Sequence, residues 1–397
     1  MAHVAPAEPA DPAGSGDPIA PADRTATLVP FRGRLHDART ATAAGRWLGL
    51  AVLVCFLTGL VSHLLQTPPE WALRWLPTRP VWGYRLTQGL HVATGLALVP
   101  LLLVKLWAVY PRLFVRPPVR SVRHALERLS VAVLVAAALF EVIIGLLNIV
   151  QWYAFPFGFR RVHWALAWVL LGSLLLHLAV KAPEIAAGWR RRDRVAVDGP
   201  AVERDRRSLL LGMGVAVGTV TAVTAGQSWT PLRPLNLLGP RHPDHAEQGV
   251  PVNRTAEQAG VGPEETADWR LTVAGPRGFE LSLAELNGLP QHEVRLPIAC
   301  VEGWSVSADW GGVRLRDLLE RAGIGPDAVL RVVSLQRSGG WRLMEMAPQY
   351  ARDPLTLLAL RINGEVLSPN HGYPARIIAP NRPGVRQTKW VRRIEVR

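Results

Sequence analysis

Apolar residues are unevenly spread along the 397-residue chain. They run together in five stretches, roughly 47–65, 89–110, 129–150, 162–180 and 209–226, with polar sequence on both flanks. At ~1.5 Å per residue each stretch is about long enough to cross a ~30 Å hydrocarbon core, so each predicts a transmembrane helix. Beyond Gln227 the texture changes. Residues 227–268 are irregular and rich in proline. Short strand-like runs follow at 269–274, 293–299, 329–335, 357–362, 375–378 and 389–396. Residues 313–322 predict an amphipathic helix closed by Gly323, and Asn363-Gly364 predicts a hairpin turn. The expected fold is multi-domain: an all-α transmembrane helix bundle of about five spans, then an α+β domain. Its expected parts are a disordered cytoplasmic tail over 1–45, a four-helix membrane domain over 46–181 and a basic cytoplasmic connection over 182–208. A fifth span over 209–226, a linker over 227–249 and the α+β domain over 250–397 complete the chain. The tail is poor in large apolar groups and carries no apolar core behind a basic start, so no secretory signal is expected there.

Charge orients the bundle. The formal charge is +14, and all but three of the 45 basic residues are arginine. Seventeen arginines flank the apolar stretches on one side: before the first, between the second and third, and between the fourth and fifth. The two remaining loops hold five: Arg74, Arg79, Arg85, Arg160 and Arg161. The positive-inside rule puts the N-terminal segment in the cytoplasm and everything after residue 226 outside. Arginines gathered beside apolar runs also speak against nucleic acid as the partner, with membrane lipid expected instead. Trp71, Trp75, Trp82, Trp152 and Tyr153 in the outer loops suit an interfacial belt. Two cysteines far apart, Cys55 and Cys300, exclude a disulfide framework.

Four histidines lie in or at the spans: His63, His91, His163 and His177. His63, His91 and His163 fall at the outer side. His177 follows His163 by fourteen residues, ~21 Å of rise that returns to nearly the same helix face. Such histidines either hydrogen-bond across helices or ligate haem iron, and His91 with His163 at matched depth points to haem. The stretches RWLGLAVLVCFLTGL and YRLTQGLHVATGLAL, with the His163/His177 pair, resemble the b-type cytochrome subunits of respiratory formate dehydrogenases and hydrogenases over about 46–181. The resemblance implies haem b and exchange with the quinone pool. Those families place a histidine beside a tryptophan near the inner surface, where this chain has Arg46 before Trp47. One outer haem is therefore expected rather than two.

The richest stretch for chemistry is LPIACVEGWSVSADWGGVRLRDLLERAGI, residues 296–324. Cys300 leaves a strand into a Gly- and Trp-rich loop ahead of a helix. It is either a buried structural cysteine or a thiolate ligand to a soft metal. No companion Cys or nearby His supports zinc, so a single protein ligand requires a cofactor that brings the other donors. CVEGWS, WGGVRLRDLL, NGEVL, HGYPARIIAP and KWVRRIEV, in that order, resemble the molybdopterin domain of the sulfite oxidase family over 250–397. The resemblance implies a molybdenum-molybdopterin cofactor with Cys300 as metal ligand. It implies that His371 and Arg376 hold the pterin and its phosphate, that Gln387, Thr388 and Lys389 contact the cofactor, and that Asn253 and Arg254 approach the pterin. Lys389, one of only three lysines, is either an edge-strand charge or an ammonium needed at that spot.

Val301-Glu302-Gly303-Trp304 after the cysteine resembles the bacterial methionine sulfoxide reductase branch, which pairs its catalytic subunit with a haem-binding membrane subunit. Glu302 is either a solvated loop carboxylate or a proton donor beside the metal. Arg206-Arg207 before the last span is either positive-inside flanking or, by resemblance, an internal twin-arginine export signal. The expected function is oxygen-atom transfer outside the cytoplasm, as sulfoxide reduction of a small molecule or an oxidised protein with quinone-derived electrons. The alternatives are a sulfite-oxidising dehydrogenase and a non-catalytic binding module.

Overall fold

The structure, a computed structural model, describes residues 35–115, 118–190 and 200–397. The expected tail over 1–34 lies outside the described residues, as do Arg116, Arg191, Arg192 and Arg194. Five long helices come first: α1 (Ala38–Gln66), α2 (Gly83–Val109), α3 (Val122–Ile149), α4 (Phe159–Arg190) and α5 (Pro200–Ala225). All five are long and apolar enough to cross a membrane. Each outruns its apolar stretch because polar turns extend it. Helix α1 starts at Ala38, inside the expected tail, since Asp37 caps it by accepting from Thr40 N at 2.6 Å; such a cap contributes ~1 kcal/mol. Ser121 caps α3 through His124 N. Helices α4 and α5 extend into the expected basic connection from both ends.

Ala44, Ala97 and Leu101 of α1 and α2 pack with Met213 of α5. Arg206 of α5 is buried and donates to Asp37 at 2.9 Å and Thr40 at 3.2 Å, tying α5 to the start of α1, while Arg207 is exposed. Helices α1 and α4 meet through rings: Phe56 stands edge-on to Trp168 at 5.5 Å, and His63 stacks on Trp164 at 3.8 Å.

The C-terminal part carries ten strands: β1 (Arg270–Ala274), β2 (Phe279–Ser282), β3 (His292–Ala299), β4 (Ser305–Arg314), β5 (Leu330–Ser334), β6 (Leu343–Met346), β7 (Leu357–Ile362), β8 (Glu365–Val366), β9 (Arg376–Ile378) and β10 (Val391–Val396). One sheet runs β2-β1-β10-β5-β6, with β1 and β10 parallel. The other runs β3-β4-β7-β8, and β9 also pairs with β7. The Gly- and Trp-rich stretch after Cys300 is not one loop: only 301–304 turn, and β4 follows. Buried Val306, Ala308 and Trp310 alternate there with Ser307 and Asp309, the period of a strand. The next helix is correspondingly shorter, Leu315–Arg321, because Val313 and Arg314 still pair with β7. Asn363 and Gly364, with φ of 50° and 83°, make the expected turn between β7 and β8.

The two parts interlock. Leu73, in the α1–α2 connection, is 5% exposed and belongs to the strand domain's core. Gln349 donates to Leu73 O and Leu76 O, Tyr350 Oη to Pro77 O, and Arg79 pairs with Asp353 at 2.7 Å. Asn381 Oδ1 accepts from Tyr84 N at 2.6 Å, capping α2 from the other domain. Arg386 donates to Gln66 O at 3.1 Å, a cation at the negative end of α1. The expected linker over 227–249 is tied down as well: Gln227 O accepts from Ser305 N, and Ser228 O from Arg85 and Ser305.

Candidate active site

Strand β3 delivers Cys300 into a tight turn. Cys300 N donates to Trp304 O at 2.9 Å, Gly303 N to Cys300 O at 3.2 Å, and Gly303 adopts φ of 95°. Glycine is required there on two counts: the left-handed backbone, and a Cβ that would stand 3.0 Å from Val92 of α2. Cys300 is 1% exposed and lines a small cavity with Val250, Asn253, Trp304, His371, Arg376 and Lys389. Burial, and secondarily Glu302, push the thiol well above its ordinary value, while the N–H groups of Val301 and Glu302 act the other way. The sulfur stays a thiol unless a metal replaces its proton.

The cations are the second feature. Arg376 donates to His371 O at 3.0 Å and lies over the Trp310 ring at 4.9 Å, and its Nε has no partner. Lys389 Nζ donates to Arg254 O at 2.7 Å and Asn370 O at 2.9 Å. Arg382 and Arg386 are buried nearby and donate to backbone carbonyls. Among the described residues none of the four has a carboxylate in ion-pair range. Burial lowers Arg376 and Arg382 to about 9 and Lys389 to about 7. Buried unpaired cations are costly unless an anion offsets them. The donor set fits a buried phosphate on a pterin, with a sulfur ligand for its metal at the cavity floor.

Asn253, His371, Arg376 and Lys389 line the cavity with Cys300. His371 Nε2 donates to Glu247 O at 2.8 Å, and burial lowers its pKa to about 4. Three other residues point elsewhere. The Arg254 guanidinium turns to Gln336 and Ser338, and only its carbonyl meets Lys389. The Gln387 amide is spent on Ala379 and Arg382. The Thr388 hydroxyl is buried without a partner and does not line the cavity. Glu302 is 4% exposed, not a solvated carboxylate. It lies on the bundle side of Cys300, bonded to Gln151 and to Trp304 Nε1 at 3.1 Å, with Arg241 at 3.8 Å, and burial raises its pKa. Sequence reasoning missed the buried pair Arg382 and Arg386, which flank Gly384 of the cavity wall. Two arginines inside an otherwise uncharged NRPGVRQT stretch were the available signal.

In the bundle, the His91 and His163 ring centroids lie 6.0 Å apart at 87°. His91 Nδ1 donates to Cys55 O at 2.8 Å, and His163 Nδ1 lies against the Glu141 carboxylate. The other nitrogen of each ring remains for a ligand, the arrangement that orients metal-bound imidazoles. A metal held at ~2 Å from each of two imidazoles separates their centroids by roughly 6 Å, so the pair fits bis-histidine ligation. Gly59 packs on His91, where a Cβ would come within 2.7 Å of the ring. His63 is engaged by Trp164, and His177 lies fourteen residues beyond His163 in α4.

Residues 259–397 match the family model described as "Oxidoreductase molybdopterin binding domain". The chain is 33% identical over 135 residues to the oxidoreductase YuiH of Bacillus subtilis (strain 168), covering 33% of this chain and 67% of that protein. It is 32% identical over 162 residues to sulfite oxidase of Gallus gallus, covering 33% of this chain and 35% of that protein. To NADH nitrate reductase 1 of Oryza sativa subsp. japonica it is 34% identical over 160 residues, 32% of this chain and 18% of that one. The match thus spans about a third of the sulfite oxidase and under a fifth of the nitrate reductase. The crystal structure of the sulfane dehydrogenase SoxCD from Paracoccus pantotrophus aligns with a TM-score of 0.30 at 25% identity, over 32% of this chain and 38% of that one. Through the domain built around Cys300, the chain belongs to the molybdopterin-binding oxidoreductases of the sulfite oxidase and nitrate reductase family.

Proposed function

We propose that this enzyme is embedded in a membrane and reduces sulfoxides outside the cytoplasm, with electrons drawn from the quinone pool through haem b. The observation that carries the electron route is the His91–His163 pair at 6.0 Å, each ring held through its other nitrogen. The five long apolar helices and the arginines beside them support the membrane placement, with the segment before α1 cytoplasmic and the strand domain external.

When bound, the molybdenum cofactor supplies two-electron oxygen-atom transfer. The balance is one sulfoxide, two electrons and two protons giving one sulfide and one water. Cys300 supplies the protein's sulfur ligand. Arg376, Lys389 and His371 hold the pterin and its phosphate, aided by the carbonyls that orient them. Trp304 walls the cavity and excludes water. Glu302, beside the sulfur and with its pKa raised by burial, is the candidate proton donor. A neutral sulfoxide needs no fixed cation, and the residues after Cys300 supply none, as in the methionine sulfoxide reductase branch they resemble. The Arg337 guanidinium is paired with Glu265.

A second reading, sulfite oxidation, draws on Arg376 and Lys389 lining the same cavity as Cys300 and on the sulfite oxidase relative. The two are separated by giving the reduced enzyme methionine sulfoxide and the oxidised enzyme sulfite while following the haem spectrum. Reoxidation by the sulfoxide supports reduction; rapid haem reduction by sulfite with no reoxidation by any sulfoxide reverses the direction. A C-terminal reporter active only in the cytoplasm overturns the placement.

A further inference from the structure

Two buried side-chain amides from different helices converge on one carbonyl beside Cys300. Gln88 Nε2 of α2 and Asn148 Nδ2 of α3 each donate to Val301 O at 3.2 Å. Both residues are 5% exposed. A buried amide in an apolar helix is costly unless it has a specific partner, and here the partner is the peptide that follows the metal-ligand cysteine. Their positions along the helices are informative. Gln88 precedes His91 by one turn on the same face. Asn148 follows Glu141, which orients His163, by two turns on the same face. Each helix side that supports an imidazole of the pair therefore also grips the Cys300 turn.

The remaining contacts reinforce the grip. Gly303 seats on Val92, the residue after His91. Ser228, just beyond α5, donates to Gly303 O. Gln151, at the end of α3, donates to Glu302.

We infer that Gln88 and Asn148 are positioning residues that lock the Cys300 turn onto the helix that carries His91 and onto the helix whose Glu141 orients His163, so that electrons pass between the two redox groups inside one fixed unit. The inference rests on the haem reading above. Two single electrons, originating in a quinol, cross this contact for each sulfoxide reduced. The transfer then needs no docking step, unlike exchange between separate proteins, whose rate follows encounter and salt.

The test compares full-length wild type with Gln88→Leu, Asn148→Leu and the double variant. Gln88→Glu serves as a near-isosteric control that turns an oxygen toward the carbonyl in place of the donor. Molybdenum and haem contents are measured first. Amide hydrogen exchange across residues 301–303 is then followed with and without cofactor loading, and haem reoxidation by a sulfoxide is followed by stopped flow. The expected result is unchanged metal and haem content, faster exchange at the turn in every variant, and haem-to-substrate electron transfer slowed by at least about tenfold in the double variant, as slight misplacement at a reacting centre does. Wild-type transfer should be insensitive to salt. Variants that keep wild-type exchange and wild-type transfer overturn the clamp. A wild-type protein without haem overturns the haem reading instead, and is recognised at the first spectrum.

Discussion

Leu73→Ala isolates the interlock between helices and strands. Leu73 sits in the connection between α1 and α2, yet it is 5% exposed and packs in the core formed by Leu271, Leu318, Leu330 and Ile394. Removing its side-chain carbons forfeits their transfer free energy and leaves a cavity, together ~2–5 kcal/mol. The site is bordered by a connecting segment that can partly collapse, so the lower half of that range applies. For a unit of this size each kcal/mol lowers Tm by ~2–4 °C, which gives a fall of roughly 4–14 °C. Trp75→Ala is the matched control, because Trp75 lies in the same short turn but is 81% exposed. It should change stability by no more than about 0.5 kcal/mol. The assay is thermal unfolding of the detergent-solubilised full chain, followed by near-UV circular dichroism of the strand domain. A Leu73→Ala protein that melts with its Trp75→Ala counterpart would refute the idea that the α1–α2 connection is part of the catalytic domain's core.

His91→Ala and His163→Ala should each abolish a low-spin b-type spectrum while His63→Ala retains it, since His63 is engaged by Trp164; the reduced-minus-oxidised difference spectrum reads this directly. Lys389→Met and Lys389→Arg should both lose pterin, measured by fluorescence after acid release: the first removes the cation, and the second cannot fit a guanidinium where Nζ meets two carbonyls and Gly372 crowds the side chain's base. His371, with a folded pKa of about 4 set by burial, is neutral in the fold; its stabilising effect is complete above the unfolded value near 6.5 and is lost as pH falls toward 4. Cofactor-free wild type should therefore lose roughly 2 kcal/mol more than His371→Gln between pH 6.5 and 5 in denaturant titrations, and parallel losses would count against the assignment.

Much of this architecture was legible in the sequence because its signals are local. Long apolar stretches marked all five helices, and Asn363-Gly364 marked its turn. The Cys300, His371, Arg376 and Lys389 positions were legible through motif resemblance, and the cavity brings them together. What escaped is non-local. Strand β4 was hidden by its glycines and by Asp309, which read as loop; its pairing with β3 and β7 holds it extended. The ends of α1 and α2 are completed by Arg386 and Asn381, some three hundred residues away, and no window along the chain reveals such a cap. Arg254 and Gln387 lie in recognisable segments, but hydrogen bonds to backbone carbonyls, distant for Arg254 and within the neighbouring loop for Gln387, turn their side chains away from the cavity.

The central claim is that electrons reach the Cys300 centre from haem within the same chain. It is tested most directly by reducing the haem of purified wild type and of Cys300→Ser with a quinol analogue, then mixing each with methionine sulfoxide and following the haem band by stopped flow. The account predicts rapid reoxidation in wild type and none in Cys300→Ser, with equal haem content in both, because a serine hydroxyl is a harder and far less acidic ligand than the thiol. Reoxidation at the same rate in both proteins would contradict it.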